Sequence, residues 1–153
     1  YNPAEPLRTT GQLDIALDKL LLKASEVNLG EMGKFPLPDL QMADSKSVIE
    51  AQIDKGAIGL SNFLLQGKDI HLGLEGKIFL ANEPSNYRMN LKGKFKFSDK
   101  LWKILDPILP ETWLSELKKQ KGPEDTYPLS ISGPFSSPVI YSGSVKIFPF
   151  QPF

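Results

Sequence analysis

The strongest constraint in this chain is a two-residue apolar rhythm, seen most plainly in residues 89–97, MNLKGKFKF. Successive side chains of a strand point to opposite faces, so Met89, Leu91, Phe95 and Phe97 share one side. Asn90, Lys92, Lys94 and Lys96 line the other, which is the pattern of a half-buried antiparallel strand with a wet face. Gly93 falls on the apolar side, where a Leu or Val would be expected. A glycine inside a strand weakens it unless a bulge, a bend or a close approach needs the space.

The rhythm recurs along the chain between turn signals. GQLDIALDKLLLK alternates at Leu13, Ile15 and Leu17 and then runs apolar through Leu20 to Leu22, so that one long strand and two shorter ones fit it equally well. GKFPLPDLQMADSK, with two prolines in three residues, reads as an extended edge or loop. VIEAQIDKGAIGLSNFLL puts Ile49, Ala51 and Ile53 on one face, turns at DKG and returns through Ile58 and Leu60 as a hairpin. QGKDIHLGLEGKIFL follows with Ile70, Leu72, Leu74, Ile78 and Leu80 in register. Three segments share the order apolar, any, apolar, any, Gly, any, apolar: Leu72–Leu74–Gly76–Ile78, Met89–Leu91–Gly93–Phe95 and Leu129–Ile131–Gly133–Phe135. Gly76 and Gly93 are therefore expected side by side in a row across the apolar face. Two consequences fit: a crease that makes a trough, or room for a packed helix to sit close.

Residues 98–121 interrupt the strands. Ser98 is a plausible N-cap before Asp99, the helix breaks at Asp106 and Pro107, and Pro110 restarts it. Gly122 and Pro123 end the insert. Leu101, Trp102 and Leu105 share one helical face, and Trp113, Leu114 and Leu117 another. These short amphipathic helices fit a core plug better than a membrane contact, with Trp102 expected to be the more buried indole and Trp113 the less.

Composition narrows the function classes. The 153 residues carry 18 basic and 18 acidic side chains, no cysteine and one histidine. A nucleic-acid module would be clearly basic, and a disulfide framework or thiolate metal site is impossible. His71 sits on the polar side of its strand without a hydrolase motif, and Asp14, Asp18, Glu50 and Asp54 are spaced as solvated strand and turn residues, without the cluster a hard cation demands. No glycine-rich phosphate loop precedes a helix. The expectation is a non-enzymatic domain without cofactor or metal. No run is long enough to cross a bilayer as a helix, and the opening YNPAEP is expected to follow a longer upstream segment.

The order of FPLPDLQ, a glycine hairpin, GKDIHLGLEGKIFL at 67–80, a Trp-containing helical insert and YPLSISGPFSSP at 127–138 resembles the type II secretion system protein N family, GspN-like, over about residues 28–142. More broadly it is similar to AsmA-like proteins. Pro134 stands after Gly133 where that family has a small or β-branched residue, which is expected to disturb the pairing of the last strand.

The resemblance implies a mainly β fold, a curved antiparallel sheet forming an open groove or partial barrel, with the helical insert near 98–121. The expected organisation is a lead-in at 1–10, one β-rich domain at 11–146 and a Pro/aromatic tail at 147–153. It also implies a periplasmic protein of the type II secretion machinery, tethered to the inner membrane by an upstream segment, whose apolar groove holds a lipid or acyl chain. The groove candidates are Leu72, Leu74, Gly76, Ile78, Met89, Leu91, Gly93, Phe95, Phe97 and Trp102. Under that reading Gly93→Leu is expected to fill the trough and leave the fold intact. The alternative is an accessory or scaffold that binds secretion-system proteins through sheet edges, with no lipid and no nucleic acid.

Overall fold

The computed structural model describes residues 8–28 and 33–149. The outer ends of the expected lead-in and tail, 1–7 and 150–153, lie outside the described residues. Eight strands form one antiparallel sheet in the order β1 (Thr10–Leu17), β6 (Ser47–Asp54), β7 (Ala57–Gln66), β8 (Ile70–Phe79), β9 (Arg88–Phe97), β10 (Tyr127–Pro134), β11 (Val139–Ser142) and β12 (Val145–Phe148). β1 and β12 are its two edges, so the sheet is open and not closed into a barrel. From β6 onward it is a meander, because each strand pairs with the next in sequence.

Between β1 and β6 the chain leaves the sheet as a broken hairpin. β2 (Leu20–Leu22) pairs with β5 (Leu40–Ala43), and β3 (Ser25–Asn28) with β4 (Lys34–Leu37). The run 11–23 is thus two strands in two sheets, and the proline-bearing stretch supplies β4 and β5. Asp39 stands at the joint, where Oδ1 accepts from the Ala24 N–H at 2.7 Å and Oδ2 from Lys23 Nζ at 3.3 Å. The Ala24 hydrogen bond, helped by Lys23, holds the Asp39 carboxyl below its ordinary range.

The β6–β7 turn is the two-residue loop Lys55–Gly56, with φ of 41° and 89°. Positive φ at both positions is the type I′ geometry whose twist matches a hairpin, which is why glycine closes it. β7 carries a bulge between Leu60 and Phe63, where four of its residues face three of β8. β10 pairs with β9 along its whole length, through Gly133↔Met89 and Pro134↔Arg88. The expected disturbance at Pro134 is absent. Gly133, at φ 94°, takes up the conformation that ends the strand.

The insert folds as α1 (Asp99–Leu105) and α2 (Glu111–Lys119). Ser98 caps α1, its Oγ accepting from the Leu101 N–H. α2 buries Trp113, Leu114 and Leu117, which join Phe95, Tyr127 and Val145 in the main core. The indole burial is the reverse of the expectation: Trp113 is 4% exposed and Trp102 only half-buried. The restart at Pro110 turns the apolar stripe of α2 onto the sheet, where Trp113 Nε1 donates to the Lys146 carbonyl at 3.1 Å. Trp102 instead leans over the margin, its ring 5.3 Å from Phe97 and 5.5 Å from Tyr127.

One carboxylate joins the separate pieces at this end of the sheet. Asp69, 5% exposed in the β7–β8 turn, accepts the Gln41 N–H at 2.8 Å through Oδ2, and its own N–H donates to the Gln41 carbonyl at 3.1 Å. Its carbonyl accepts the Ser98 N–H at 2.9 Å, and Lys100 Nζ stands 3.8 Å from Oδ1. Beside it Ser47, fully buried, accepts from Gln66 N at 2.8 Å and Asp44 N at 3.2 Å. Asp69→Ala strands the part-buried Gln41 N–H and is expected to lower stability by about 1–3 kcal/mol. The measurement is the urea midpoint against wild type, and an unchanged midpoint refutes the role given to Asp69.

Candidate functional site: the apolar face of the sheet

Register assigns side chains to faces, because directly paired residues of antiparallel strands point the same way. One row crosses seven strands, from Leu13 through Ala51, Leu60, Gly76, Leu91 and Ile131 to Ile140. A second runs Ile15–Ile49–Phe63–Leu74–Gly93–Leu129, and a third Gly11–Ile53–Ile58–Ile78–Met89–Gly133. Between the rows no charged side chain intervenes. The lysines lie on the opposite face, with Lys92 and Lys94 exposed.

The ten candidates all belong to this side of the domain but divide into two groups. Leu72 pairs with Phe95 and Phe97 with Ile70, and these three, with Trp102, belong to the core under α1 and α2. They are packing residues. Leu74, Gly76, Ile78, Met89, Leu91 and Gly93 lie farther along the strands, in the three rows. The main packing elements are α1 on β9, α2 on β12, and β5 on β7 and β8, and in the first row Ala51 and Leu91 are also buried. Toward the β1 edge Leu13 and Ile15 are 44% and 37% exposed.

The glycines behave differently from both expectations. Gly76 is opposite Leu91, and Gly93 is opposite Leu74 on one side and Leu129 on the other. They are diagonal neighbours, two residues out of step, and each is flanked by large side chains. A Cβ on Gly93 would stand 1.8 Å from the Gly73 carbonyl oxygen, and one on Gly76, at φ 133°, 2.2 Å from that of Asn90. The crowding atoms are strand backbone, not helix. These glycines let β8 and β9 approach where any side chain would part them, so Gly93→Leu breaks the ladder instead of filling a trough. The third repeat ends early: Phe135 lies past β10, 57% exposed.

Titrating chemistry is sparse around the face. Among the described residues no group of three His, Asp or Glu side chains could hold a metal ion, and His71 is exposed on the polar side opposite Lys96. Tyr127, 4% exposed, is the one shifted group in the core. Burial pushes its phenol up, against a smaller downward pull from Lys121 and Lys118. Sequence patterning found the alternation but had no means of showing which strand each residue meets, and so missed that Leu13, Ile15, Ile49, Ile53, Ile58 and Phe63 extend the face to the far edge. No protein-family profile, curated protein or solved structure matches the chain.

Two measurements follow from this geometry. Gly93→Ala is expected to destabilise the domain by at least about 3 kcal/mol or to prevent folding, as a bad backbone contact does. Gly73→Ala, whose Cβ would come no closer than 4.0 Å to Leu64 Cδ1, is expected to be neutral or to stabilise by up to about 1 kcal/mol. Equal unfolding midpoints for the two variants overturn the assignment. The raised Tyr127 pKa favours the folded state below the unfolded value of about 10. That contribution is lost as pH rises through the folded value, so stability falls in the alkaline limb and Tyr127→Phe flattens the fall in urea midpoints measured from pH 8 upward.

Proposed function

We propose that the three apolar rows form a lipid-holding surface, the wall of an AsmA-like groove, in a non-enzymatic extracytoplasmic protein. The observation that carries this reading is the unequal covering of the face. Helices and the β5 segment pack on it at one end, whereas Leu13 and Ile15 at the other remain substantially open to solvent. An apolar surface running over seven strands without a charge suits an acyl chain, each buried methylene of which contributes about 0.8 kcal/mol. The resemblance of residues 28–142 to the type II secretion protein N family extends the proposal to a periplasmic setting at the inner membrane.

A second reading rests on β1. Its outer edge has no strand partner among the described residues over eight positions. Such an edge suits a scaffold that captures an extended segment of a secretion-system protein by strand addition.

Native mass spectrometry of the purified chain, together with titration of a fluorescent fatty-acyl probe, separates the two. The lipid reading expects saturable probe binding that Leu13→Lys combined with Ile15→Lys weakens roughly tenfold or more, since each puts a charge into the acyl seat. Both side chains are exposed, so the fold is expected to survive, with an unchanged circular dichroism spectrum. Absence of co-purifying lipid and of probe binding to wild type rejects the lipid reading and leaves the edge.

A further inference from the structure

The opposite, polar face carries glycines of another kind. Gly59 has no positive φ, and a Cβ built there would come no closer than 3.9 Å to any atom, the nearest being the Gln52 carbonyl oxygen. Nothing in the fold requires a glycine at this position, although glycine costs a strand interior about 0.5–1 kcal/mol relative to alanine. Gly59 lines an open cleft of about 480 Å³ beside the β7 bulge, where a side chain would take up some of the space.

Register sets the walls. Gln52, Gly59, Lys77 and Asn90 form one row across four strands, so two carboxamides and an ammonium flank the bare floor. Glu75 and Lys92, paired across β8 and β9, come from one neighbouring row and Phe79 from the other. Phe79 is 47% exposed, an aromatic ring left in solvent on a polar face. Among the described residues neither Lys77 nor Lys92 is in an ion pair, and the lining carries two cations against one carboxylate.

We propose that this cleft binds a phosphate-bearing sugar. Lys77 and Lys92 take the phosphate, since ammonium groups at hydrogen-bonding range are the simplest seat for a compact dianion. Gln52 and Asn90, each donor and acceptor, match vicinal hydroxyls, and Glu75 accepts from a further one. Phe79 offers its ring to the C–H face of the sugar. The site is distinct from the acyl seat: the side chains assigned to the ligand lie on the other side of the sheet, and the cleft meets the apolar rows only at Leu60 and Gly76.

The test is a titration of the ¹⁵N-labelled chain with glucose 1-phosphate, glucose and inorganic phosphate, followed by amide shifts. Glucose 1-phosphate is expected to shift Gly59, Lys77 and Asn90 with a Kd on the order of 1 mM, and each of the other two probes to bind roughly tenfold more weakly. Gly59→Leu, which fills the cleft without backbone conflict, is expected to weaken binding at least about tenfold at an unchanged unfolding midpoint. The double variant Lys77→Gln with Lys92→Gln, both exposed side chains, is expected to lose binding and its salt dependence, and it decides the matter if Gly59→Leu does not fold. The proposal is overturned by the absence of saturable shifts at these amides, by phosphate alone binding as tightly, or by unimpaired binding to folded Gly59→Leu.

Discussion

The buried carboxylate of Asp69 is the interaction on which the rest of the structure depends. It joins three pieces of chain that sequence separates widely: the base of the broken hairpin at Gln41, the β7–β8 turn and the entry to α1 at Ser98. Hydrogen bonds to a carboxylate are strong when the acceptor is withdrawn from water and its lone pairs are occupied. Gly67 makes the junction possible, because a Cβ there would stand 2.1 Å from the Gln41 carbonyl oxygen. With this end fixed, the helices settle over Phe95 and Tyr127, and exposure along the apolar face rises toward the β1 edge at Leu13 and Ile15.

Glycine therefore has three distinct employments in one sheet. At Gly56 it supplies the positive φ of a hairpin turn, and at Gly76 and Gly93 it removes a collision with the adjacent backbone. Gly59 and Gly73 do neither. Both sit on the polar face with free space above, and both contribute to hollows, that at Gly73 lying between His71, Lys94 and Lys96. Apolar-face glycines shape the sheet, and polar-face glycines shape its surface.

Much of the architecture was legible because the period-two signal is local. It gave the faces of β8 and β9 and the DKG hairpin, and capping chemistry gave Ser98, each settled by residues a few positions apart. The broken hairpin was not legible, since the run through Leu20–Leu22 fits one strand or two equally well and the choice is made by Asp39, which closes the joint from fifteen residues away. Nor was the diagonal offset of Gly76 and Gly93, which depends on the length of the 80–87 turn and not on either strand. The indole order failed for a related reason. Helical phase shows which residues share a stripe, but the direction a short helix faces after a proline restart is set by tertiary contact, here with Lys146 and Val145.

The contact between Trp113 and Lys146 also differentiates the two borders of the sheet. α2 occupies the β12 side through an indole hydrogen bond to that strand's backbone, while the β1 side presents its backbone without a strand neighbour among the described residues. A sheet with two free borders can add copies head to tail without limit and grow into a fibre. With one backbone acceptor of β12 already taken by α2, pairing of the large sheet's borders is expected to favour β1 on β1, an arrangement that closes as a pair. A single tryptophan in a nine-residue helix thus makes the two borders of the large sheet unequal as templates for a further strand.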